Sequence, residues 1–494
     1  SIGISCGVGF LLSHFGGKEA GHLYRKEAMA IVGLSWVLAT ILGALPYALS
    51  GTQRAGAVHT DGRIVDSKPM NPADWLFESQ SGFSTTGATV LTDVEHRELV
   101  PRCILFWRSS THFLGGLGII VLFVAILGQG SAGKALMRSE MPGPSKEGSQ
   151  ARMQHTALVF AWIYCGLNAV LTIFLYLCGL SWFDSLCHAF GTLATGGFST
   201  YNNSVGHFAT LIGPGRALAA EIAIIVFMIL AGSNFTLLYF LVIRKPGKLF
   251  RDVEWRTYLM VLFGVTVLVV AFGYIHRDEH FYYEGDLWRS LTSGLRQSLF
   301  QVVSIMTTTG YGSEADFDQW NSFGRGVLFL LMFVGGCAGS TGGGLKVIRH
   351  VLFLKILGLE LEKAYHPTVV RPLRLGGQPV DDQDLRHNIL VYFGLILLIF
   401  VFSWMALVTI EPDATWGRGG TGQASVEHKL IDSASGIAAT LNNIGPGLGT
   451  VGAKQNYAHF SSAAKLLFTV LMMIGRLEIF AIVVLFLPGF WRSR

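Results

Sequence analysis

Apolar residues along this chain gather into runs long enough for membrane helices, separated by short polar and glycine-rich breaks. Eight such runs occupy 28–49, 104–127, 157–177, 217–243, 258–275, 327–357, 389–410 and 463–487. A helix needs about 20 residues to cross a hydrocarbon core of about 30 Å, so each run predicts a membrane helix. A ninth run, 2–12, is too short to cross and is expected to be the remnant of one further helix. Between the members of successive pairs lie apolar stretches of about a dozen residues, each leading into a Gly/Thr/Ser cluster. They are too short to span and too apolar for simple loops, which predicts re-entrant helices.

Composition places this pattern in an all-α polytopic membrane protein. Of 494 residues, 51% are apolar and 14% charged, more apolar surface than a soluble fold can hide. The six cysteines lack the paired spacing of a metal site or disulfide framework. A net charge of +5 is too small to mark a nucleic-acid binder, so no nucleic-acid partner is expected. Basic residues collect after each pair of runs, at Lys134, Arg138, Lys146 and Arg152, at Arg244, Lys245, Lys248 and Arg251, at Lys346, Arg349, Lys355, Lys363, Arg371 and Arg374, and at Arg492 and Arg494. These connections are expected to be cytoplasmic. Acidic residues such as Asp93, Glu95, Asp278, Glu284, Glu314 and Asp316 fall on the opposite side, where they form a vestibule that concentrates cations.

The clusters align as four copies of one unit: Thr85-Thr86-Gly87, Thr195-Gly196-Gly197, Thr308-Thr309-Gly310 and Asn443-Ile444-Gly445. Thirteen residues before the shared glycine stand Asp74, Asp184, Gln297 and Asp432, each expected to cap the start of a short helix. Asn71 and Ser181 precede the first two at N-cap to N3 spacing, with Pro72 at the first helical position. Gly294 and Lys429 make the other two starts less regular. A helix of about ten residues reaches about 15 Å, half the bilayer, and turns its negative pole inward. The chain then returns outward in extended form, and glycine lets bare carbonyls replace an ion's hydration shell. Ordinary external turns would need neither matched registers nor apolar lead-ins. The units run over 27–140, 141–250, 251–375 and 376–494, after an N-terminal stretch of 1–26.

Two features remain. Six of the ten residues 335–344 are glycine, at Gly335, Gly336, Gly339, Gly342, Gly343 and Gly344, around Ser340 and Thr341. At about 1 kcal/mol each against alanine, they preclude regular helix and predict an unwound loop inside the clusters. Close packing of small residues between helices is an alternative, and both can hold together. Arg476 lies among Met472, Met473, Ile474 and Ile479, where a charge costs at least ~2.5 kcal/mol. It is expected either to face the pathway, bind carbonyls of the glycine loop and repel cations, or to anchor neighbouring helices. Glu478 falls on another helical face, and Lys346 is expected to snorkel to the cytoplasmic surface. His188 has no histidine four residues away, and no nucleotide fingerprint or nucleophile motif occurs, so neither an enzyme nor an organic cofactor is expected.

The four clusters, the run from Gly335 to Lys346, Asn442-Asn443-Ile444-Gly445-Pro446-Gly447 and Gly475-Arg476-Leu477-Glu478 resemble the Trk/Ktr/HKT superfamily of potassium transporters, most closely the bacterial Trk membrane subunit. The resemblance covers almost the whole chain. It implies a gated pore surrounded by four pseudo-repeats, with K⁺ as transported ion and the twelve cluster residues named above as selectivity filter. It also implies a gate formed by the glycine loop and Arg476, and two extra N-terminal helices, of which 2–12 resembles the second. Implied surroundings are the bacterial cytoplasmic membrane and its lipid, a homodimer, and a cytosolic ring of Trk A type that binds NAD(H) or ATP/ADP. Plant members that prefer sodium carry serine at the first filter position, so Gly87 implies K⁺. Only Thr309-Gly310-Tyr311-Gly312 comes close to the potassium-channel signature. A Na⁺- or H⁺-coupled symporter is the alternative, though no coupling carboxylate stands in mid-span; an integral membrane enzyme would need a polar catalytic cluster that the sequence does not offer.

Overall fold

Short helices that begin at side-chain caps and end at glycine turns alternate here with long apolar helices. The computed structural model describes residues 1–15, 25–58, 64–127, 149–368, 371–376, 378–380, 383–416, 426–477 and 479–492. After α1 (Ile2–Phe15) and α2 (Arg25–Leu49), a hairpin of β1 (Gln53–Val58) and β2 (Ile64–Pro69) leads into α3 (Pro72–Phe83) and α4 (Arg102–Leu127). The same order returns with α5 (Ser149–Cys178), α6 (Trp182–Leu193) and a broken pair, α7 (Pro214–Ala231) and α8 (Phe235–Val242). It returns again with α9 (Val253–Ile275), α10 (Leu287–Met306), α11 (Ser322–Leu331) and α12 (Val347–Tyr365). Last come α13 (Gln383–Ile410), α14 (Val426–Leu441) and α15 (Ser462–Arg476). Among the described residues, five helices are long and apolar enough to cross a membrane, over Met29–Leu49, His155–Cys178, Pro214–Ala231, Val253–Ile275 and Leu385–Ile410.

Three of the apolar runs are interrupted, two of them where a single helix is expected. The run 217–243 breaks at Gly232, where Asn234 accepts from Thr236 N and starts a new helix as its N-cap. The run 327–357 breaks at the glycines, as composition predicts. In 463–487, α15 ends at Arg476 and only short helical pieces follow.

The short helices start in two different ways. Asn71 accepts from Asp74 N while Asp74 accepts from Asn71 N, a reciprocal capping box with Pro72 at its head. Ser181 accepts from Asp184 N at 3.1 Å, and Asp184 takes Thr200 Oγ1 at 2.6 Å. Gln297 and Asp432, expected at helix starts, lie inside their helices. Asp286 caps α10 well upstream, because an amphipathic extension precedes the buried part, and Gln297 Nε2 donates to Ser293 Oγ instead. Asp432, inside α14, accepts from Thr450 N at 2.9 Å and so holds the returning chain rather than the helix end.

Polarity is distributed inside out. Trp162, Leu177, Met260 and Phe402 stand exposed on the long helices, whereas Glu78, Gln80, Gln301, Ser304 and Asp432 on the short ones are buried. This is the arrangement of a chain whose outer solvent is lipid and whose centre is polar. Asp74 anchors the first short helix in a buried cluster, 2.7 Å from Lys465 Nζ and 3.2 Å from Arg54 Nη2.

Asp74→Ala removes the capping box and leaves the ammonium of Lys465 buried without its carboxylate. Breaking such a pair costs about 3–5 kcal/mol, whereas loss of an exposed one costs under about 1 kcal/mol. Thermal unfolding in detergent is therefore expected to show a large drop for Asp74→Ala and little change for Asp413→Ala, which removes an exposed carboxylate and leaves the ammonium of Lys429 bonded to Glu411 O. Equal melting temperatures would contradict this ranking.

Candidate functional site

Each short helix ends in the same motif. Thr85, Thr195, Thr308 and Asn443 have φ of 51°, 54°, 60° and 56°, in the left-handed region. The next residue's N–H returns to the carbonyl five positions back: Thr86 to Ser81 at 2.9 Å, and Gly196 to Gly191, Thr309 to Ser304 and Ile444 to Ala439 at 2.8 Å. That is a Schellman C-cap, which satisfies the last carbonyls while reversing the chain. Threonine and asparagine occupy a position that usually takes glycine, so part of the strain is carried by these bonds.

Glycine is required one residue further on. Gly87, Gly197, Gly310 and Gly445 have φ of 81°, 76°, 76° and 98°. A Cβ on Gly87 would lie 2.1 Å from Gly196 O, on Gly197 2.0 Å from Thr309 O, on Gly310 1.9 Å from Ile444 O, and on Gly445 2.4 Å from Thr86 O. Each glycine thus abuts the carbonyl preceding the next glycine, and the fourth closes on the first. All four line one open cavity together with Thr89, Ser199 and Tyr201. The buried oxygens Thr85 Oγ1 and Asn443 Oδ1 have no hydrogen-bond partner among the described residues. Neutral oxygens gathered in this way can replace water around a cation without binding it irreversibly.

Beneath the ring lies the glycine loop, closed at its neck by Gly335 N to Leu345 O at 2.7 Å and Val347 N to Gly336 O at 3.1 Å. The loop fills the break between α7 and α8. Thr341 N and Oγ1 donate to Ala231 O, Cys337 N donates to Gly232 O, and Phe235 N donates to Gly339 O. Thr341 Oγ1 also reaches Leu193 O, and Gly343 N donates to Thr308 Oγ1 at 2.8 Å. Gly342 packs beside Thr307 O, and Gly344 beside Asn442. Ser340 Oγ is buried with no partner among the described residues.

Arg476 is buried and donates from Nη1 to Thr341 O at 2.6 Å and from Nη2 to Gly115 O at 3.2 Å. Glu478 lies outside the described residues. Lys346 does not snorkel: its ammonium folds back onto Gly342 O and Gly343 O, because the loop leaves carbonyls that a helix would have used.

Sequence reasoning missed several participants. Glu254, at the head of α9, accepts from Ala338 N at 2.7 Å and Ile348 N at 3.1 Å and so pins both sides of the loop. Its only sequence signal is an acid in the first turn of an apolar helix. Asn443 Nδ2 donates to Thr86 Oγ1 and to Met472 O, which joins the fourth turn to the first. His112 bridges Gly82 O and Phe198 N between the first two turns.

Comparison with known proteins gives one consistent result. The TrkH family, described as cation transport protein, matches residues 50–492. The Trk system potassium uptake protein TrkH of Halomonas elongata is 34% identical over 100% of this chain and 92% of its own length. The Escherichia coli TrkH is 33% identical over 99% of this chain and 91% of its own, and the E. coli TrkG 32% identical over 96% and 88%. The crystal structure of the potassium transporter TrkH from Vibrio parahaemolyticus superposes with a TM-score of 0.76 at 30% identity, covering 96% of this chain and 88% of that one.

Space at the glycines can be tested directly. A Cβ at Gly475 would lie 2.0 Å from Leu441 O, whereas one at Gly326 meets nothing within 4 Å. Gly475→Ala is expected to lower folded yield and melting temperature. Gly326→Ala, in the helix α11, is expected to be neutral or to stabilise by up to about 1 kcal/mol. A wild-type melting curve for Gly475→Ala would refute the close approach.

Proposed function

This chain belongs to the TrkH family of cation transport proteins, and from that premise we propose that it takes up potassium across the bacterial cytoplasmic membrane through a gated, channel-like pore. The single observation that carries this reading is the closed ring in which each of four glycines abuts the carbonyl of the next segment. In this reading Thr85-Thr86-Gly87, Thr195-Gly196-Gly197, Thr308-Thr309-Gly310 and Asn443-Ile444-Gly445 are the selectivity filter. The units 27–140, 141–250, 251–375 and 376–494 are four pseudo-repeats around one axis. K⁺ sheds water at the ring and is held by neutral oxygens, which bind weakly enough to release it.

The loop 335–344 is the gate in this proposal, and Arg476 both holds it through Thr341 O and opposes cations by its charge. A cytosolic nucleotide-binding ring of the Trk A type, beneath a homodimer of this chain, docks on the basic connections around Lys134 to Arg152, most of which lies outside the described residues, and around Lys346 to Arg374. Flux that follows the K⁺ gradient when Na⁺ and pH are clamped supports a channel; flux that follows Na⁺ or H⁺ would make the protein a symporter.

Gly87→Ser forces a side chain against Gly196 O at a positive φ. It is expected to lower the K⁺ to Na⁺ permeability ratio of protein in liposomes, and an unchanged ratio would remove Gly87 from the filter.

Arg476→Ala and removal of two residues from 339–344 are each expected to raise K⁺ flux per folded protein. Both act on one barrier, so the double variant is expected to fall well short of the product of the single increases. Reduced flux in both single variants at wild-type folded yield would end the gate assignment.

A further inference from the structure

At one corner of the ring stands a buried ion pair that the closure of the ring does not require. Glu78 on α3 and Arg108 on α4 are both buried, with Arg108 Nε 2.7 Å from Glu78 Oε1. The carboxylate also accepts from Thr89 Oγ1 at 3.0 and 3.1 Å and from Val90 N at 3.0 Å. It therefore ties the strand leaving Gly87 to the helix that led into it. The guanidinium continues to the second segment. Nη2 donates to Thr89 Oγ1 at 3.2 Å, Nη1 donates to Ser199 O at 3.4 Å, and the cation lies 4.0 Å from the centroid of the Phe198 ring. One helical turn on, His112 stacks against the same ring at 4.2 Å. It donates from Nδ1 to Gly82 O at 2.8 Å, which leaves Nε2 to accept from Phe198 N at 3.2 Å.

The other corners are built differently. Nine residues before the shared glycine stand Glu78, His188, Gln301 and Gly436. His188 bonds Asp184 O and Ser199 Oγ, Gln301 bonds Ser313 Oγ, and Gly436 has no side chain to offer. The register of Arg108 follows from glycines in matching contacts: Gly115 and Gly475 abut Phe83 O and Leu441 O, and Gly116 and Gly232 pack beside Ala194 and Thr307. At the positions equivalent to Arg108 stand Ile224 and Phe468, both buried. A buried pair costs desolvation that apolar side chains there would avoid, so its retention at one corner calls for a role other than stability.

We propose that the Glu78–Arg108 pair is a specificity-determining clamp, a positioning device that holds the first and second segments at fixed separation so that the ring cannot contract around a cation smaller than K⁺. The inference rests on the filter reading. Selectivity by carbonyl oxygens depends on how far those oxygens can close on the ion, and this clamp limits that movement at the Gly87–Gly196 contact.

The test measures the K⁺ to Na⁺ permeability ratio of the full chain in liposomes, together with folded yield and melting temperature. Arg108→Lys keeps a charge beside Glu78 but cannot hold Thr89 and Ser199 at once. The double variant Glu78→Gln/Arg108→Gln keeps neutral hydrogen bonding without a buried charge. Both are expected to fold and to lower the ratio roughly tenfold, equivalent to about 1.4 kcal/mol. Folded variants with the wild-type ratio would overturn the clamp and leave the pair a stability element. Should neither fold, Thr89→Val removes the hydroxyl that links both members of the pair to the first strand, leaving the ion pair and the Val90 N bond in place; an unchanged ratio there overturns the proposal equally. If Gly87→Ser changes selectivity while the clamp variants do not, only the clamp fails; if Gly87→Ser is silent, the filter reading fails first.

Discussion

Four glycines meet four carbonyl oxygens at distances that admit no side chain, and the rest of the structure is arranged to permit this. Each contact is made by one segment against the next, from Gly87 to Gly196 O, Gly197 to Thr309 O, Gly310 to Ile444 O and Gly445 to Thr86 O. The ring closes only when all four segments arrive at one depth with one backbone conformation. Identical Schellman ends on α3, α6, α10 and α14 supply that conformation, and buried side chains along the same helices hold the returning strands.

Broken helices follow from the same demand. A backbone that stops being helical inside a membrane leaves donors and acceptors that lipid cannot satisfy, at several kcal/mol each. Here the break between α7 and α8 and the glycine loop solve the problem for one another: carbonyls of Ala231 and Gly232 take N–H groups of Thr341 and Cys337, and Phe235 N is taken by Gly339 O. Three charged side chains complete the arrangement. Glu254 accepts the loop's free N–H groups, while Lys346 and Arg476 donate to its free carbonyls. Any displacement of the loop must exchange these bonds together, which makes two discrete positions more natural than a continuum.

Approximate symmetry in the backbone coexists with clear asymmetry in the side chains. The first corner carries an ion pair, the second and third neutral hydrogen bonds, and the fourth packed glycines. A ring assembled from one chain can vary its corners independently, which four identical subunits cannot do.

Much of this was legible in the sequence because it depends on local physics. Run length predicted the membrane class, the shared glycine marked the four turns, and Asn71 with Asp74 or Ser181 with Asp184 announced two helix starts through spacing alone. Glycine density predicted the break at 335–344 because propensity suffices to exclude helix there. Local rules misled where a residue's partner was remote. Gln297 and Asp432 share the register of Asp74, yet α10 and α14 begin earlier, and Asp432 answers to Thr450. Lys346 had a route to the surface but found orphan carbonyls nearer, and the break at Gly232 became tolerable only because the loop from another segment fills it. Which carbonyl faces which glycine, and that Glu78, Arg108, Glu254 and Arg476 find partners far along the chain, was decided by tertiary structure. The physical reason is that a buried charge or a bare backbone group is satisfied by whatever the fold brings within about 3 Å, and spacing along one helix does not encode that neighbour.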